Sequence, residues 1–333
     1  MAFGPSLLSR LTLGKCALAC VMALGGISAA NAAQWPERPV TIMMGFPAGS
    51  GVDVIGRLLQ EPLEKEFGVP VIIEYRSGAG GNLASAAVAR AQPDGYTLLL
   101  GTAATHGINP AIYKDLPFDV EADFTAIAPL IDVSNVLTIN PSVIDVDTVD
   151  AFIKEVKANP GKYSFASTGH GTGTQLAFEE FNEKAGLDML HVPYKGGPEA
   201  LQSVLKGETC CIFNQVQTVL PQYEAGRVRL LGVSTLERVD VVKDVPTIAE
   251  SGLPGFDSYI WFGLFGPKDM DPAVTEKINA AATKALENPK MVERLTAMGN
   301  SVHTSSVAEF RETVRSNREK WAEVVKAAGV SIQ

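Results

Sequence analysis

Short β-rich runs alternate with helical patterns along most of the chain, and this alternation restricts the fold more than any other feature. PVTIMM (39–44) precedes a helical pattern that follows Asp53, PVIIEY (70–75) precedes GNLASAAVARA, and YTLLLG (96–101) closes a first set. YSFAS, MLHVPY, CCIFN and VRLLGVS make a second set, interleaved with TQLAFEEFNEKAG, GPEALQSVLKG and TVLPQYEAG. Strands separated by helices require crossover connections, so the pattern predicts an α/β fold of parallel sheets with helices on both faces. The sets are joined twice, near 134–140 and near 257–263. This predicts two lobes on a two-strand hinge: 33–135 with 258–333 as lobe 1, and 136–257 as lobe 2. A ligand cleft is expected between them, at the carboxyl ends of the strands. The helical patterns after 263 are expected to pack back on lobe 1, and Pro62 to bend the first helix.

With 333 residues, 46% hydrophobic and 20% charged, the chain can build two ordinary cores. A net charge of -9 argues against attraction to nucleic acid or an anionic membrane. At the start, Arg10 and Lys15 lead into CALACVMALGGISAA and then Ala30-Asn31-Ala32. A basic beginning, a short apolar middle and a small-x-small end predict a signal peptide over 1–32, cleaved after Ala32, and export of the chain. Cys210 and Cys211 then remain, adjacent and unsuited to a mutual disulfide; they are expected to be buried structural thiols. The four histidines, at 106, 170, 191 and 303, show no metal-ligand spacing. No metal and no cofactor are expected.

Four polar, glycine-rich stretches follow strands: Gly45 to Asp53, Arg76 to Asn82, Gly101 to His106, and Ser167 to Thr174. A strand, a glycine-rich turn and a helix in that order present backbone N–H groups to an anion. The phosphate-loop pattern is missing, because no Lys-Ser/Thr pair follows the first turn, and Gly49-Ser50-Gly51 does not continue into the dinucleotide fingerprint. No G-x-S-x-G nucleophile elbow occurs either. Neutral hydroxyls, amides and N–H groups suit a carboxylate held by partial charges. Asp53 and Asn82 each have two readings, contact with ligand or a place at a helix start. His106 has two as well, donor to ligand or partner in its own loop, whereas His170, between glycines, is expected to face the cleft.

Taken in order, WPERPVTIMMGFPAGSGVDVIGRLL, EYRSGAGGNLASAAVARAQPDGYTLLLGT, THGINPAIYKDLPFD, NPGKYSFASTGHGTGTQLAFE, HVPYKGGPEAL, DVPTIAESGLPGF and WFGLFGP resemble the Bug family, the extracytoplasmic solute receptors of tripartite tricarboxylate transporters. The resemblance implies a periplasmic-binding-protein fold of type II-like form and no enzymatic activity. It implies a small carboxylate ligand, a di- or tricarboxylate, an acidic amino acid or an aromatic acid, delivered to membrane permease subunits by a monomer. The positions it carries over are Phe46, Ala48, Gly49, Ser50, Gly51 and Asp53; then Gly81, Asn82, Thr102, Thr105 and His106; then Ser167, Thr168, Gly169, His170, Gly171 and Thr172. Where relatives read Gly-Gln-Val-Asp-Leu, this chain has Gly207-Glu208-Thr209-Cys210-Cys211, and an Asp-Asn pair becomes Asn214-Gln215, with Asn214 also a candidate contact. Both departures remove negative charge and favour a purely anionic ligand. A sensor that presents ligand to a signalling receptor would share these motifs, and an exported α/β enzyme acting on carboxylates is the remaining alternative.

Overall fold

The structure is a computed structural model that describes residues 35–331, so the expected leader and its cleavage point lie outside the described residues. Strand β1 (Val40–Met44) pairs in parallel with β2 (Val71–Tyr75) on one side and β3 (Thr97–Thr102) on the other, in register Val40 with Val71 and Ile42 with Leu98. Ile42, Met44, Leu98 and Leu100 enter one core, while Met43 and Leu99 enter the core on the opposite face. That two-sided burial explains why β1 reads as a continuous apolar run rather than an alternating one. Helix α1 (Gly51–Phe67) covers the first face with Leu59 and Leu63, and α2 (Asn82–Ala89) covers the second with Val88. Pro62 is accommodated within α1, which runs on to Phe67.

The sheet continues antiparallel from β3 to β9 (Tyr259–Pro267) and from β9 to the first part of β4 (Phe124–Ile139). Here the purely parallel expectation is corrected, because the strands that leave and return between lobes run in opposite directions. Beyond Ser134 the same strand β4 enters a second sheet, pairing with β7 (Cys211–Gln215) and β8 (Arg229–Val233). Beside β7 lie β5 (Ser164–Ser167) and then β6 (Leu190–Pro193), both parallel. Helices α4 (Val149–Ala158), α5 (Gly173–Ala185), α6 (Gly197–Lys206) and α7 (Val216–Glu224) accompany this sheet; α3 is the short Asn109–Ile112 turn that precedes β4. The second core is aromatic: Phe165 stacks on Phe178 with centroids 4.1 Å apart, and Phe152, Phe181, Phe213 and Phe256 surround them. Each such ring stabilises the lobe by about 1.5–3 kcal/mol through burial alone.

Where the two sheets meet, the Ser234 N–H donates to Asn135 O (2.8 Å), the Asn135 N–H donates to Ser234 Oγ (3.2 Å), and the Ser258 N–H donates to Ser234 O (2.8 Å). Three chain segments are thereby tied at one point. Helix α8 (Pro272–Leu286), α9 (Pro289–Ala297) and the edge strand β10 (Asn300–Val302) then complete the first lobe. Helix α10 (Val307–Ala328) opens on a reciprocal capping box between Ser306 and Glu309. Its first half packs Phe310 and Val314 on the first sheet, but Trp321 and Val324 share a cluster with Leu176 of α5. Lys320 also reaches Glu180 of α5 at 3.2 Å. The last helix therefore does more than pack back on lobe 1: its apolar stripe is long enough to cross to the other lobe.

Candidate ligand-binding cleft

The first rim begins where β1 ends. A Cβ on Gly45 would lie 2.6 Å from the Gly81 Cα, so only glycine lets these two turns touch backbone to backbone. Ser50 is the N-cap of α1, its Oγ accepting from the Asp53 N–H at 3.3 Å. Asp53, read above as a ligand contact or cap, is turned away from the cleft. Its carboxylate accepts from the Gly49 N–H (2.7 Å), Tyr75 Oη (2.5 Å) and Arg57 Nε (2.8 Å). Burial opposes its ionisation, but those three hydrogen bonds and the Arg57 charge outweigh burial and hold the carboxyl below its usual range. Asp53 thus fastens the loop, and the N–H groups of Gly51 and Val52, with no carbonyl a turn earlier to receive them, open the helix toward the cleft.

Thr102 and Thr105 form a reciprocal turn: the Thr102 N–H donates to Thr105 Oγ1 (3.0 Å) and the Thr105 N–H to Thr102 Oγ1 (3.2 Å). Thr105 is consumed in this turn and is buried, whereas Thr102 also reaches the cleft. His106 is fully buried, stacked on Phe265 at 3.9 Å and edge-on to Phe124 at 4.8 Å, with Nδ1 2.8 Å from Thr105 Oγ1. Burial lowers its pKa to about 3, so the ring is neutral and belongs to the core rather than to the ligand. Asn82 is likewise buried; its Oδ1 accepts from Asn109 Nδ2 at 2.7 Å, and it is Asn109 that lines the cleft. Gly81 makes room: a Cβ would meet Thr105 Cγ2 at 2.6 Å and the Phe46 ring at 3.2 Å.

The second rim, Ser167 to Thr174, is knitted from neutral groups. The Thr168 N–H donates to Thr174 Oγ1 (3.0 Å), the Gly169 N–H to Ser167 Oγ (3.2 Å) and the Gly171 N–H to Gln175 Oε1 (2.8 Å). Most of the loop's own donors are therefore engaged within the loop. What remains is the start of α5, at Gly173, and the side chain of His170. Ser167 is buried and shares a 2.6 Å hydrogen bond with His191 Nε2. Burial, with a smaller contribution from His170, lowers the His191 pKa to about 4. Asn214 is buried behind the wall, its Oδ1 accepting from the Gln215 N–H at 2.8 Å, and the neighbouring Gln215 side chain faces the cleft instead.

A cavity of about 290 Å³ lies between the rims. Phe46, Ser50, Gly51, Thr102 and Gly80 line it from one lobe, and Thr168, His170, Gly171, Thr172 and Gly173 from the other. Ala48, Gly49, Asp53, Gly81, Asn82, Thr105, His106, Ser167, Gly169 and Asn214 stand outside this lining and shape or back the rims. Residues the sequence reading did not single out complete it: Asn109, Tyr113, Gln215, Ile260 and Phe262, with Val52, Ala104 and Ile112. None of the described lining residues is Asp, Glu, Lys or Arg. The cavity is thus flanked by the N-termini of α1 and α5, one from each lobe. Among the described residues no group of acidic, His or Cys side chains could hold a metal, and no helix is long and apolar enough to cross a membrane.

Two α/β lobes sharing one strand, with a neutral cavity between two helix N-termini, define a solute-binding protein. The chain belongs to the tripartite tricarboxylate transporter family receptors, whose pattern matches residues 55–330. It is 31% identical over 314 residues to Protein BugT of Bordetella pertussis, spanning 94% of this chain and 96% of that one. An R. palustris protein solved with adipate superposes with a TM-score of 0.78 at 29% identity, over 89% of this chain and 99% of its own. MatC from Rhodopseudomonas palustris, solved with bound malate, gives 0.73 at 31% identity, over 87% and 100%. The Bug-family resemblance of the seven motifs and the two-lobed fold are both borne out.

Proposed function

We propose that this chain is a periplasmic receptor that captures a small carboxylate, a di- or tricarboxylate or an aromatic acid, and delivers it to the permease of a tripartite tricarboxylate transporter. The observation that carries this reading is the convergence of two helix N-termini on one cavity without a fixed cationic side chain. Each N-terminus presents partial positive charge and unreceived N–H groups, the chemistry a carboxylate oxygen accepts. Apolar walls from Val52, Ile112, Ile260 and Phe262 leave space for a hydrocarbon or aromatic body. Adipate and malate in the two solved relatives agree with that class of ligand. The chain acts without turnover, as a monomer exported by a leader over 1–32, with lobes at 33–135 plus 258–333 and at 136–257. A thermal-shift screen of the mature chain against carboxylic acids tests the reading: a ligand at about 100 times its Kd adds about 2.7 kcal/mol of stability. No shift with any acid, or steady consumption of one, would overturn it.

A further inference from the structure

Two helix N-termini supply about half a positive charge each, together about enough for one carboxylate. A second carboxylate on the same ligand meets a cavity wall with no arginine or lysine to balance it. One lining side chain can acquire positive charge, the imidazole of His170 on the lobe 2 rim. We propose that His170 is the group that reads the second anionic end of the ligand, so that preference for dicarboxylates over monocarboxylates is switched on by its protonation. This rests on the carboxylate reading above.

The surroundings of His170 permit the switch. It sits in an exposed turn between Gly169 and Gly171, and its ring meets His191 edge-on with centroids 5.2 Å apart. His191 is itself held neutral, desolvated against Phe165 and hydrogen-bonded to Ser167, so the rim gathers one positive charge rather than two. Tyr113 is the other titratable side chain on the cavity wall, and no carboxylate lines that wall to neutralise an imidazolium. Lys195, on the adjoining turn after β6, and Glu199, in the first turn of α6, are exposed, and Glu199 already accepts from the Lys195 N–H at 3.0 Å. An anion facing His170 favours its charged form, so binding a dicarboxylate takes up a proton and strengthens as pH falls.

Calorimetry with succinate through suberate, the matching straight-chain monocarboxylates, and benzoate with its dicarboxylic counterparts tests this. Measurements run from about pH 8.5 to about pH 6.5, a window that keeps ligand carboxyls largely ionised while imidazoles exchange protons. The dicarboxylate-to-monocarboxylate affinity ratio is expected to widen roughly tenfold across it, the size of one hydrogen bond to a charged group. Binding in buffers of different ionisation enthalpy is expected to show proton uptake for the dicarboxylate. In His170→Gln the ratio stops moving with pH, and in His170→Lys it stays wide throughout, with melting temperatures confirming that both variants are folded. A ratio that is flat in the parent, or that still widens in His170→Gln, overturns the proposal while leaving carboxylate binding intact. Binding of no member of the series at any pH overturns the carboxylate reading and this inference together.

Discussion

The two rims of the cleft are the same device built from different materials. On lobe 1 a single ionised carboxylate, Asp53, gathers a backbone N–H four residues away, an arginine on the next helical turn and a phenol on the neighbouring strand. On lobe 2 the equivalent loop is held by threonine hydroxyls, a glutamine amide and a serine, without a formal charge. The first arrangement binds tightly but places a negative charge beside a helix N-terminus that should attract an anion, which Arg57 offsets. The second leaves the dipole of α5 uncompensated. Rigidity can thus come from charge or from neutral networks, and the choice decides how each rim answers to pH.

Acid should reveal the difference most strongly through His106 on the first rim. Its pKa is lowered from 6.5 to about 3, so its contribution to stability is fully present above 6.5 and drains away as pH falls toward about 3. Across that window the loss approaches about 1.4 kcal/mol per pH unit. His106→Phe, which keeps a ring between Phe265 and Phe124, is expected to flatten the urea-midpoint profile there; an unchanged slope would show that other groups carry the acid response.

The next largest effect concerns binding. Gly51 is the first residue of α1, where proline is tolerated and Ser50 is already extended, with φ −75° and ψ 163°. A Cβ there meets nothing closer than Gln215 Oε1 at 3.9 Å. Gly51→Pro should therefore fold normally yet weaken carboxylate binding by about 1.5–3 kcal/mol, the worth of a hydrogen bond to a charged group. Gly173, the first residue of α5, is not its twin, since a Cβ would press on Ile260 Cδ1 at 2.8 Å. Gly173→Pro should lower melting temperature as well as affinity. Equal stability of the two variants would erase the asymmetry.

Smaller effects come from loosening each rim. Asp53→Asn should cost about 2 kcal/mol at neutral pH. That cost should fade as acid protonates the parent's carboxyl, because a lowered folded-state pKa gives stability present above the unfolded value and lost below it. Thr174→Val on lobe 2 should cost about 1 kcal/mol with no pH dependence of its own. Chemical denaturation at two pH values separates them, and parallel behaviour of the pair would show that charge is not what distinguishes the rims.

Much of this could be read from the chain. The largely apolar run at 39–44 and the glycine-rich turns after strands located the sheet and both rims, because they follow from local backbone rules. What stayed hidden depends on partners far along the sequence. Asp53 loses its freedom to Tyr75, 22 positions on, and Asn82 to Asn109, 27 positions on. Tyr113, Ile260 and Phe262 look like any core residues until the second lobe leaves one side of them uncovered. His106 and His170 each lie within one of the glycine-containing stretches that follow strands, and only packing separates a core imidazole from one on the wall.

The long strand β4 bears on how the molecule comes into being. Its first half is completed by β9, with Thr125 Oγ1 donating to Pro267 O across 142 positions, while β5 through β8 all lie between them in the chain. A chain emerging from its N-terminus can finish the second sheet while the first still lacks its central strand. Closing that gap costs loop entropy that grows only slowly with length, and an intervening segment already folded shortens the effective span further. A vectorial order of assembly is therefore written into the strand order, with the unpaired edge of β3 exposed until the last third of the chain arrives.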